Sequence, residues 1–91
     1  MNTKELLSAI ERRGYKANIV RTFTYSICKD KDFNLVTIDE SPNMELIRIA
    51  NEFKCMWVAA THVKIVGDKP EYSIKYSAYP RNMKDFEFVC E

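Results

Sequence analysis

The stretch CMWVAATHVKIVGDKPEYSIKYSAYP, residues 55–80, admits two readings, and the architecture follows from the choice between them. Its first residues continue a helical spacing from the segment before: Leu46, Ala50, Phe53, Trp57 and Ala60. Trp57-Val58 and Thr61-His62-Val63-Lys64-Ile65-Val66 instead carry strand-favouring residues. The residues downstream settle the matter. With Gly67-Asp68-Lys69-Pro70 as a turn, Val66 falls opposite Glu71 and Val58 opposite Tyr79, and Pro80 ends the return strand. The reading is a hairpin whose outgoing strand begins near Trp57. Its return strand alternates Tyr72, Ile74, Tyr76 and Ala78 against Ser73, Lys75, Ser77 and Tyr79, the period of a half-buried strand.

Upstream, Ser41-Pro42 marks the start of a helix, since serine caps a helix and proline at the first helical position forfeits no hydrogen bond. That helix runs to about Lys54, with Met44, Leu46, Ile47, Ala50 and Phe53 apolar and Glu45, Arg48, Glu52 and Lys54 polar. Before it, Tyr15, Ala17, Ile19, Phe23, Tyr25 and Ile27 share one parity, and Lys16, Asn18, Thr22, Thr24 and Ser26 the other. This predicts a long strand, a polar turn at Lys29-Asp30-Lys31-Asp32, and a return strand from Phe33 to Ile38. Arg21 interrupts the apolar parity and is expected at the rim of the sheet with its stem packed.

At the start of the chain, Leu6, Leu7 and Ile10 follow Asn2-Thr3 at helical spacing, Glu5 stands three residues after Asn2, and Gly14 supplies a stop. A helix from about Thr3 to Arg13 follows. At the other end, after a turn at Pro80-Arg81-Asn82, Phe86, Phe88 and Cys90 alternate with Glu87, Val89 and Glu91, which predicts a short edge strand. The expected fold is α+β: a two-layer sandwich, its antiparallel sheet carrying two helices on one face, in the order αββαββ with a further short strand. Residues 1–91 are read as one domain. A faint αββ pseudo-repeat, 2–40 and 41–91, aligns Glu5, Leu6 and Leu7 with Glu45, Leu46 and Ile47.

Composition excludes several classes of function. Fourteen Lys and Arg nearly cancel thirteen Asp and Glu, so net charge singles out neither nucleic acid nor an anionic surface. There is no apolar run of roughly 20 residues and no secretory signal at the start, so the expectation is a cytoplasmic protein without a membrane partner. The three cysteines, Cys28, Cys55 and Cys90, lack metal or redox spacing and are read as reduced thiols.

Catalytic chemistry has little to draw on. His62 is the single histidine, and Cys28 shares its strand parity, so a thiol–imidazole pair is the one dyad to weigh. No glycine-rich oxyanion turn adjoins Cys28, and an open sheet face lacks enclosure. Asp30, Asp32 and Asp39 lack the ligand spacing of a metal site, and Gly14 and Gly67 stand alone rather than in a phosphate loop. No catalytic residue, cofactor or metal is assigned.

The remaining candidate is a surface. With the apolar parities under the helices, the other sheet face displays hydroxyls and lysines and no Asp or Glu. The candidate partner-binding residues are Lys16, Thr22, Thr24, His62, Lys64, Lys75 and Tyr79. The expected function is a small non-enzymatic protein-interaction module, a regulator, adaptor or inhibitor of the kind found among phage and mobile-element accessory proteins. It would bind a protein partner through this face or through an edge strand. The alternative is single-stranded nucleic acid on the same face, for which Tyr79 is the only aromatic of suitable parity. Monomer and homodimer are both open, the latter through a strand edge and the patch of Met56, Val58 and Ala60.

Overall fold

In a computed structural model, which describes residues 2–23 and 28–90, helix α1 (Thr3–Arg12) is capped by Asn2, whose side chain accepts a 2.9 Å hydrogen bond from the Glu5 amide. Gly14, at φ +89°, ends it in a conformation that side-chain-bearing residues rarely adopt. Leu6 and Ile10, four residues apart and so on one helix face, are fully buried.

Helix α2 (Met44–Glu52) departs from expectation at its start. Asn43 rather than Ser41 is the cap, its Oδ1 accepting from the Leu46 amide at 2.9 Å, and Pro42 lies before the helix. Asn43 also donates to the Tyr15 hydroxyl at 2.8 Å, and that hydroxyl donates to Glu45 at 2.8 Å, so the start of α2 is tied to the segment after α1. The inward stripe is Leu46, Ile49 and Ala50, with Phe53 beside it. At about 100° per residue, Met44 and Ile47 rotate off that stripe, and both are exposed. Lys54, at φ +59°, then turns the chain into the third strand.

Four antiparallel strands form one sheet: β1 (Asn18–Phe23), β2 (Asp32–Ile38), β3 (Cys55–Val66) and β4 (Lys69–Pro80), in the order β1-β2-β4-β3. Residues 55–60 are therefore strand. The β3–β4 turn is two residues, Gly67-Asp68, tighter than predicted, so Val66 pairs with Lys69 and Val58 with Ser77. A shift of two keeps every side chain on its expected face. Gly67, at φ +64°, supplies the positive dihedral that a two-residue hairpin turn demands. The predicted continuation of β1 through Thr24, Tyr25 and Ile27 lies outside the described residues.

Both helices cover one face of the sheet, where Leu6, Ile10, Leu46, Ile49 and Ala50 meet Val36, Ile38, Cys55 and Ala78. The opposite face is not wholly open. Phe33 and Leu35, of opposite parity to Val36 and Ile38, are buried there with Cys28 and Val89. The covering element is a 3-10 helix, Met83–Val89, where a strand was predicted. Phe86 and Val89, three apart, share a side of such a helix, which the period-two reading of this segment missed. The chain then bridges from Cys90 to Phe33 beside β2. As a result β2 is buried from Phe33 to Ile38 on both faces.

Cys28 and Cys90 form a disulfide across 62 residues of sequence, with Cα atoms 5.3 Å apart, which corrects the expectation of three reduced thiols. Sequence spacing gives no hint of the pair. Only the return of the C-terminal segment to β2 brings the two together.

The longest dimension is 41 Å, close to the ~40 Å that twelve-residue strands such as β3 and β4 span. A nine-residue helix such as α2 covers only about 14 Å. The hairpin therefore overhangs the body, and the radius of gyration, 13.6 Å, exceeds the ~12 Å of a compact chain of this length.

Candidate functional site

Of the seven residues singled out from the sequence, His62, Lys64 and Lys75 share one face of the β3–β4 hairpin, and the others are not brought to them. Lys16 and Thr22 belong to the β1 side of the sheet and His62 and Lys64 to β3, the opposite edge. Thr24 lies outside the described residues, as does the side chain of Thr22. Lys75 pairs with Asp39 at 3.2 Å. Tyr79 turns into the second cluster, its ring 6.3 Å from that of Phe33. Glu71, expected next to the turn, is a strand residue directly opposite Lys64, so the face carries an acid after all. A single nucleic-acid strand on this face would find Lys75 engaged, an acid beside Lys64 and no free aromatic platform in Tyr79.

The arm of the hairpin is a different surface, and parity assigned it to the core. Tyr76 and Ala78, near the base, do pack under the helices. Further out on the same face, Val63, Ile65, Tyr72 and Ile74 are 57%, 66%, 68% and 59% exposed. Their neighbours Ala59, Thr61 and Pro70 are exposed as well. The signal that could have located them is length, because two helices of nine and ten residues cannot roof twelve-residue strands. Pairing of β4 with β2 is confined to Ser77 and Tyr76, so beyond that point the arm has open strand edges on both sides.

Strand β3 is an edge of the sheet along its whole length. Across twelve residues it carries one formal charge, Lys64. Charges and interruptions normally blunt a long edge against pairing, and β3 has little of either. At its base the indole of Trp57 donates to the Leu46 carbonyl at 3.0 Å, fixing β3 to α2. Between that helix and the strand lies a groove walled by Pro42, Ile47, Met56 and Trp57. Arg81, hydrogen-bonded to Asn51, borders it.

The cysteine–histidine dyad weighed from the sequence is removed, since Cys28 is in the disulfide. Cys55 is the free thiol, fully buried at the start of β3. Burial, with the Asp85 carboxylate adding to it, pushes its pKa up from 9.0 to about 11 against the opposing effect of Arg81. It is thus neutral at physiological pH, the form that is not nucleophilic. A thiol reagent at pH 8 is expected to leave the folded protein unlabelled and to label one thiol per chain once denaturant is added; rapid labelling of native protein would contradict the burial. The sign of the pH effect follows. The unfolded chain loses the Cys55 proton near its ordinary pKa and the folded chain only near 11, so stability falls as pH rises through that window.

Among the described residues, no cluster of three or more His, Cys, Asp or Glu is placed to hold a metal, and no helix is long and apolar enough to cross a membrane. Compared with protein families, curated proteins and solved structures, the chain matches none of them.

Proposed function

We propose that this chain is a non-enzymatic protein-interaction module whose binding surface is the overhanging β3–β4 arm, rather than the basic face read from the sequence. One observation carries the proposal: the apolar stripe that forms the core at the base of the hairpin continues outward, uncovered, through Val63, Ile65, Tyr72 and Ile74. Exposed apolar surface of this extent, beside a low-charge strand edge, is what strand addition uses, with backbone hydrogen bonds supplying affinity and alternate side chains supplying selectivity. The cost of leaving it in water is offset when a partner covers it.

Ile65→Lys and Tyr72→Lys place charge on the stripe without touching the core. Both are expected to melt within about 0.5 kcal/mol of wild type, as surface substitutions do. Immobilised wild-type protein should retain partners that these variants lose, while Lys64→Glu, on the other face, should keep them. Equal retention by all four proteins would refute the arm as the binding surface. For the compartment, the sequence reading is the cytoplasm, whereas a Cys28–Cys90 disulfide persists in oxidising surroundings. A count of free thiols on protein taken from its own cells separates the two: one thiol means oxidising, three reducing.

A further inference from the structure

We infer that the arm's partner is a second copy of this chain, joined edge to edge through β3 in an antiparallel pair, with the two-fold axis passing through the sheet near Thr61. The inference rests on the proposal that the arm is the binding surface and adds what covers it.

The argument is the complementarity of the two halves of β3. The inner end, Cys55 to Trp57, is roofed by α2 and bordered by the groove of Pro42, Ile47 and Trp57. The outer half, Thr61 to Val66, has an apolar face and no roof. Antiparallel pairing about the strand's own midpoint sets each outer half beside the inner half of the other copy. Directly opposed residues share a face, so helix-side residues must meet helix-side residues. Every register centred on a residue satisfies this, and the one centred on Thr61, beside the midpoint of the strand, sets Ile65 opposite Trp57 and Val63 opposite Ala59 of the second copy. Ile65, on the joined edge itself, then approaches the α2 groove and the exposed Ile47 of that copy.

Charge permits the pairing, because Lys64, the single formal charge on the strand, falls opposite Val58 and not opposite its own copy. Area permits it too. The exposed parts of Ile47, Met56, Val58, Val63, Ile65 and Val66, all on α2 or β3, amount to on the order of 500 Å² a side, the low end for a specific contact. The contact is isologous and consumes both β3 edges, so it closes at two copies and does not propagate. Strand β1, the other edge, is half as long, at six residues.

Sedimentation equilibrium of the full chain from about 1 to about 100 µM should show mass rising from 10.7 kDa towards twice that value. Ile65→Lys should raise the dimer dissociation constant on the order of 100-fold by burying an unpaired charge. Thr61→Cys should form an inter-chain disulfide under mild oxidation, because residues facing each other across the axis have Cβ atoms about 5 Å apart. Ser8→Cys, on the exposed side of α1, should not. A mass constant at 10.7 kDa over the whole range overturns the inference. If arm substitutions still abolish retention of another protein, only the second copy is rejected and the arm stands. If retention is unaffected as well, both readings fall. A dimer that Ile65→Lys leaves intact and Thr61→Cys fails to crosslink places the contact elsewhere and also overturns it.

Discussion

Replacing Cys90 with serine is expected to lower the folding free energy by about 4 kcal/mol, the loop-closure value for a disulfide spanning 62 residues. The tether matters more than its length alone indicates. It fastens the end of the 3-10 helix (Met83–Val89), the lid of the second cluster, to the chain just before β2. Without it, Val89 and the Phe33–Cys90 bridge keep only their non-covalent contacts, and the cover of one face of β2 is weakened. Denaturant unfolding with and without a reductant is the check. Reductant should shift the wild-type midpoint down to that of Cys90→Ser and leave the variant unmoved. Coincident wild-type curves under the two conditions would show that the disulfide contributes nothing. In a reducing compartment the same shift applies to the native protein, so the result also bears on where the chain is stable enough to work.

The second large effect is a contrast between residues of similar size and hydrophobicity. Leu6→Ala, at a side chain with no exposure, should cost about 3 kcal/mol, since it removes the burial of three carbons and leaves a cavity between α1 and the sheet. Ile74→Ala should change stability by less than about 0.5 kcal/mol, because Ile74 already faces water. Thermal or denaturant melts at low concentration, where any dimer has dissociated, give both values. A comparable loss at Ile74 would mean that the outer stripe is covered within the chain itself, and the arm would cease to be an available surface. The expected outcome is that the arm contributes little to folding and is left for binding.

Much of the fold was legible before the structure because it depends on local rules. Asn2, Glu5 and Gly14 bracket α1 by capping and by φ, and the β-branched and aromatic content from Phe33 to Ile38 reads as a strand. Gly67 placed the β3–β4 turn within two residues, and the error left every face intact because side chains repeat every second residue. The failures are of another kind. The alternation from Phe86 to Glu91 looks like a strand in sequence, whereas Met83–Val89 is a 3-10 helix that covers Phe33 and Leu35. Asn43 outcompetes Ser41 as the cap of α2, and the same side chain bonds Tyr15, a partner 28 residues away.

The binding surface was the least legible part. Parity says which face of a strand an apolar residue points to, and by that rule Tyr72 and Ile74 belong with Tyr76 and Ala78. Parity cannot say how far the roof extends. Residues 55–80 by themselves determined that there is a hairpin, where it turns and which side chains share a face, because those properties depend on the turn and on alternation within the stretch itself. The tertiary structure alone decided that the hairpin outruns its helices, that Cys28 meets Cys90, and that Lys75 and Tyr79 are already engaged. Those outcomes depend on how short helices of about 15 Å sit on strands of about 40 Å, a comparison of lengths between elements that no local pattern contains.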